Sequence, residues 1–106
     1  MIRGEVWWAT LGGEAGNRPV ILVSRDEVYT VRTQITVAPV TTNVRNIRAE
    51  VPLSKADGLP RPCAANFDSM VTIPKSQLLE RITALGPAKM EEVNGAIRYA
   101  LGLGNS

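Results

Sequence analysis

The chain of 106 residues contains no histidine. That absence removes the side chain that titrates near neutral pH, the commonest zinc ligand, and every Ser-His or Cys-His nucleophile. Cysteine occurs once, at Cys63, so neither an intrachain disulfide nor a thiolate metal cluster can be built. Ahead of two alanines, Cys63 reads as a small core residue. No apolar run approaches the roughly 18–20 residues of a membrane span, and "MIRGEVWW" has no apolar stretch of signal-peptide length. These absences predict a cytoplasmic protein with no membrane segment, no metal and no cofactor. Its chemistry would have to come from arginine, hydroxyl, amide and carboxylate groups.

With 44% hydrophobic and 21% charged residues, the sequence fits one domain, residues 1–106, with a modest core. A domain of this size folds alone but gains from a partner, which points to a homodimer. A formal net charge of +2 is too mild to argue for nucleic acid; its distribution says more. Between Ala15 and Pro62, Arg18, Arg25, Arg32, Arg45, Arg48, Lys55 and Arg61 stand against Asp26, Glu27, Glu50 and Asp57. Arginine dominates that set, and its planar fork suits phosphate.

"GEVWWATL" reads as a first strand ending at Gly12-Gly13. "RPVILVS" is a nearly unbroken apolar strand, buried on both faces or crossing a small barrel. "QITVAPVTT" and "AEVPL" follow, each holding a proline that favours an edge, bulge or barrel rim over a flat central sheet. After the turn-rich "SKADGLPRP", further strands are expected at "CAANF", "SMVTIP" and "RITAL". From Pro87 the period changes: Met90, Val93, Ile97, Ala100 and Leu101 recur at helical spacing, with Gly102 at the stop. The expectation is a mainly β domain with a C-terminal helix, an SH3-like small β-barrel.

In "GGEAGNRPVILVS", Pro19 opens a strand and Arg18 stands at its mouth, backbone held and guanidinium free to meet an anion. A surface arginine stacked on Trp7 or Trp8, or paired with Glu14, fits the same position. Thr41, Thr42 and Asn43 end the third strand and offer phosphate-binding donors or plain turn chemistry. Trp7 and Trp8, adjacent on a strand, point to opposite faces. One belongs to the core; the other is either a platform for an unpaired base or a subunit contact. Arg45 and Arg48 occupy a polar loop suited to solvent or phosphate. Asn66 and Asp68 read as a turn.

Taken in order, these pieces resemble the MazF/PemK family of toxins. The resemblance runs from "RGEVWWATL" through "GNRPVILVS" and "ITVAPVTT" to "KMEEVNGAIRYALGL", and the Arg-Pro opening with the downstream "APVTT" is its specific pair. It implies an SH3-like barrel that dimerises, cleaves single-stranded RNA sequence-specifically, and is restrained by a cognate antitoxin. The family's catalytic arginine falls on Arg18 and its threonine on Thr41, with Glu14 as the available first-loop carboxylate in a shorter loop than is usual. RNA contacts are expected from Trp8, Thr42, Asn43, Arg45, Arg48, Asn66 and Asp68. Cleavage without histidine or metal would use the substrate's own 2′-OH and leave 2′,3′-cyclic phosphate and 5′-OH ends. A CcdB-like gyrase poison of the same fold and a non-catalytic small-barrel RNA-binding module are the alternatives.

Overall fold

A computed structural model describes residues 1–13 and 16–104. Glu14 lies outside the described residues. Seven strands form one curled sheet: β1 (Glu5–Thr10), β2 (Asn17–Leu22), β3 (Gln34–Thr41), β4 (Glu50–Leu53), β5 (Cys63–Asn66), β6 (Val71–Pro74) and β7 (Leu78–Ala84). The order is β4-β5-β3-β2-β1-β7, with β6 on β3, and the pairings are antiparallel. β4 and β7 end this path, so the small barrel curls without closing its hydrogen-bonded ring. A single helical turn, α1 (Val28–Val31), three 3₁₀ turns at Lys55–Asp57, Phe67–Ser69 and Lys75–Gln77, and a C-terminal helix, α2 (Pro87–Leu101), complete the described elements.

The apolar run of β2 is buried on both faces, as its sequence requires. Ile21 packs with Val6, Ala38, Val40 and Phe67, against the side of the sheet that α2 covers with Val93 and Ala96. Val20 and Leu22 point the other way, into Ala9, Tyr29, Ile35, Val37 and Ile73. Two cores thus share one sheet, because alternate residues of β2 and β3 face opposite sides. In α2, Pro87 supplies the first turn and Gly102 the left-handed stop at φ 68°. Met90, Ile97 and Ala100 pack inward as expected. Leu101 does not: it is exposed, lying one residue past the buried stripe.

The two prolines expected inside strands, Pro39 and Pro52, sit where a missing N–H does little harm. Pro52 is on β4, the edge of the sheet. Pro39 marks a change of partner in β3: β2 pairs with it as far as Val20↔Pro39, whereas Val40 and Thr41 pair with β5. Beyond Pro39 the β2–β3 ladder stops, and two cavities open there. Two elements departed from expectation. α1 is too short, at four residues, to leave a helical period in a polar stretch. β7 begins at Leu78 rather than Arg81, since "LLE" lacks the alternation that signals a strand.

Candidate nucleic-acid interface

Had the β2–β3 ladder run on from Val20↔Pro39, Arg18 would lie opposite Thr41. Instead the two strands part, and both side chains line the same two cavities as a shared wall. On one side a cavity of about 370 Å³ is bounded by Trp8, Pro19, Val40, Leu59, Pro60 and Arg61, with Asn17, Thr42 and Cys63 completing it. On the other a polar cavity of about 230 Å³ is lined by Asn43, Arg45, Glu50, Asn66 and Ser69, with Pro39 between the strands. Strand parity explains the division. Pro19 and Val40 face one side of the sheet and Arg18, Pro39 and Thr41 the other.

Trp7 and Trp8 divide as the alternation demands. Trp7 packs against the second core and its Nε1 donates to Glu5 Oε1 at 3.0 Å. Trp8, on the opposite face and 36% exposed, presents its ring to the larger cavity. The far wall of that cavity comes from the β4–β5 loop, which is tightly built. Ser54 caps a short 3₁₀ turn over Lys55–Asp57 reciprocally with Asp57, and Lys89 of α2 donates to the Pro52 carbonyl at 3.0 Å. Gly58 follows at φ +99°, so close to β7 that an added Cβ would come within 2.5 Å of Thr83 Oγ1. This loop delivers Leu59, Pro60 and Arg61, which the sequence showed only as turn-rich.

Thr41 Oγ1 accepts the Asn43 N–H at 3.0 Å, so its own hydroxyl proton remains available to a ligand. Asn66 Oδ1 accepts the Asp68 N–H at 2.9 Å, which leaves its amide nitrogen as the group to donate. Glu50 is buried, only 8% exposed; its Oε1 accepts from Arg45 N at 2.9 Å and Asn46 N at 3.2 Å. Burial, then the nearby Asp57 charge, pushes the Cys63 thiol up, so it is no thiolate nucleophile at neutral pH.

Of the residues expected at the site, Arg18, Thr41, Trp8, Thr42, Asn43, Arg45 and Asn66 gather around the two cavities. Arg48 is elsewhere: its guanidinium stacks over the Tyr99 ring of α2 at 4.3 Å. Asp68 is exposed on the turn after β5 and lines neither cavity; Ser69 takes that place. Glu50 and Arg61 counted only toward the charge balance in the sequence and were not expected at the site. The only hint of Glu50 was a lone carboxylate opening an otherwise apolar strand, "AEVPL".

The family described as PemK-like, MazF-like toxin of type II toxin-antitoxin system matches residues 2–101. The chain belongs to this family. Among its relatives, the "Probable endoribonuclease MazF5" of Mycobacterium tuberculosis is 36% identical over 100 residues, spanning 93% of this chain and 91% of that protein. Endoribonuclease MazF of Staphylococcus saprophyticus is 33% identical over 111 residues, 97% of this chain and 92% of its own. The solved structure of the Mycobacterium tuberculosis toxin MazF-mt6 superposes with a TM-score of 0.85 at 33% identity, covering 92% of this chain and 96% of that one. A mycobacterial endoribonuclease in complex with its cognate antitoxin gives 0.88 at 29% identity, covering 97% and 96%. The mainly β family fold with a C-terminal helix is therefore the fold of this chain. Among the described residues no helix is long and apolar enough to cross a membrane.

Proposed function

We infer that this chain is an endoribonuclease, the toxin of a type II toxin–antitoxin pair, and that single-stranded RNA crosses the wall formed by Arg18 and Thr41. The observation that carries this reading is the convergence of a guanidinium and a free hydroxyl proton on one wall between two base-sized cavities. The scissile phosphate sits on the wall, where the Arg18 fork holds its non-bridging oxygens and Thr41 donates a hydrogen bond. One flanking base stacks on Trp8 in the larger cavity, a contact worth about 1–3 kcal/mol in single-strand sites. Thr42 lies on that side, and Asn43, Arg45 and Asn66 on the other.

No residue of the wall supplies an attacking atom. Arg18 is ill suited as a base, since its guanidinium offers only donors and no acceptor for the 2′ proton. The 2′-OH next to the phosphate is already tethered and close, so proximity favours it. It attacks phosphorus, the P–O5′ bond breaks, the 2′ proton leaves to solvent and the departing 5′ oxygen gains one. A 2′,3′-cyclic phosphate and a 5′-OH result, and Arg18 stabilises the charge that builds on the phosphorane.

Protein partners under this reading are a cognate antitoxin and a second copy of the chain. Relatives named as endoribonucleases lend nothing to a gyrase poison or a non-catalytic RNA-binding module. Incubating the purified protein with a long RNA and sequencing the 5′-OH ends tests the reading. Cuts should cluster at one short sequence, and Arg18→Lys should lose about 10²-fold or more in rate while folding normally. Near-wild-type cleavage by that variant overturns the assignment of Arg18.

A further inference from the structure

The polar cavity contains a carboxylate that the cleavage reaction does not use. Glu50 stands at the start of β4, 8% exposed, and lines the cavity beside Arg18 and Thr41. Its Oε1 is fully engaged by the N–H groups of Arg45 and Asn46. Its Oε2 is out of solvent and has no hydrogen-bond partner among the described residues. Nor is any ion pair to it found among the described residues. A buried carboxylate oxygen left without a donor is costly and calls for an explanation.

Capping the Arg45–Asn46 turn explains only half of the carboxylate. One oxygen does that work, and a glutamine would do it equally well without a buried charge. The second oxygen is acceptor capacity that nothing among the described residues takes up. Glu50 shares the polar cavity with the wall that, in the reading above, holds the scissile phosphate. The terminal carboxylate torsion is broad and soft, so a small tilt brings Oε2 to a donor entering the cavity.

We propose that Glu50 is a specificity-determining residue: it accepts a hydrogen bond from the exocyclic amino group of one base flanking the scissile phosphate. This rests on the placement of the phosphate at Arg18 and Thr41. Guanine, adenine and cytosine carry such an amino group on the edge that single-strand readers use, and uracil does not. Uracil instead offers carbonyl oxygens on either side of its one ring N–H, and these meet the carboxylate as like partial charges. Asn66 supplies a neutral donor for the acceptor beside the amino group. A site built around a hydrogen-bonding group rejects the analogue that lacks it, since its own buried polar atom is then left unpaired.

Binding tests this independently of cleavage, using short 2′-O-methyl RNAs that cannot be cut, with the base at each position flanking the scissile phosphate varied in turn. For wild type, one flanking position should favour an amino-bearing base over uracil by roughly 10-fold or more. Replacing that base by its deaminated or amino-lacking analogue, guanine by hypoxanthine or adenine by purine, should cost a similar factor where the amino group is the one read. Glu50→Gln keeps an oxygen for the Arg45–Asn46 turn and presents an amide donor, so it should erase or invert the preference against uracil. Unchanged preferences at both flanking positions in Glu50→Gln, or the absence of any amino dependence in wild type, overturns the proposal, even if the variant binds every RNA more weakly. The wild-type base-analogue series needs no variant to fold. A protein that binds with this pattern yet cuts no RNA would sink the endoribonuclease reading and leave the role of Glu50 standing.

Discussion

In the proposed reaction Thr41 acts through a single hydrogen. Its oxygen is already used to accept the Asn43 N–H, and what remains for substrate is the hydroxyl proton. Thr41→Val keeps the shape and removes that proton, so cleavage should fall by about 10²–10³-fold, the range for losing one donor to a developing oxyanion. Thr41→Ser should keep most of the rate. Equal rates for the two variants would show that the hydroxyl has no part in the reaction. Glu5, far along β1 from that wall, illustrates a carboxylate with purely structural work. Burial alone would raise its pKa, but hydrogen bonds from Trp7 Nε1, the Ile2 N–H and the Arg81 guanidinium together outweigh this and hold it below its ordinary 4.5. A depressed folded pKa means stability that is complete above the unfolded value and is lost as pH falls through the folded one. Thermal unfolding should therefore move to lower temperature below about pH 4.5, and Glu5→Gln should flatten part of that slope. An unchanged acid limb in Glu5→Gln would place the dependence on other carboxylates.

At the scale of elements, the β4–β5 loop matters most, because it turns the open end of a sheet into a cavity. Gly58 sits at φ +99° against Thr83, so Gly58→Ala adds both a left-handed backbone penalty of about 1–2 kcal/mol and a collision with β7. The variant should unfold several degrees lower and stack RNA less well on Trp8, followed by its indole fluorescence. Adding Thr83→Ala should recover only part of the steric share, because the Thr83 Cβ itself would stand 2.7 Å from the added carbon. If Gly58→Ala alone is as stable as wild type, the loop is not pinned there. Much of this scaffold was legible in the sequence: two-sided burial from the unbroken "PVIL", opposite faces for Trp7 and Trp8, the helix from Pro87. Arg18 and Thr41 were singled out in the sequence as well, Arg18 at the mouth of the strand that Pro19 opens and Thr41 at the end of the third strand, and the structure places both at the two cavities. The loop was not, since Leu59 and Arg61 are carried to the cavity by contacts with β7 and α2 that no local pattern encodes. Arg45 and Arg48 show the same limit. They share a loop and a charge, but between them Asn46 turns left-handed at φ 57°, and one arginine lines the polar cavity while the other stacks on Tyr99.

For the molecule as a whole, the proposed reaction needs no metal, because in it Arg18 meets the charge on the phosphorane and the nucleophile comes with the substrate. Cleavage should accordingly persist in excess EDTA, and its pH profile should lack an imidazole limb near pH 6–7. Activity lost on chelation and restored by Mg²⁺ or Mn²⁺ would instead mark a carboxylate-based metal nuclease. The central claim, that RNA crossing the Arg18–Thr41 wall is cut by its own 2′-OH, is tested most directly by one substrate. An RNA carrying a single deoxynucleotide immediately 5′ of the scissile bond should bind with wild-type affinity and resist cleavage, while the same substitution one or more nucleotides away leaves the rate unchanged. Cleavage of the deoxy-substituted bond at a comparable rate, or no cleavage of the all-ribose strand, would contradict it.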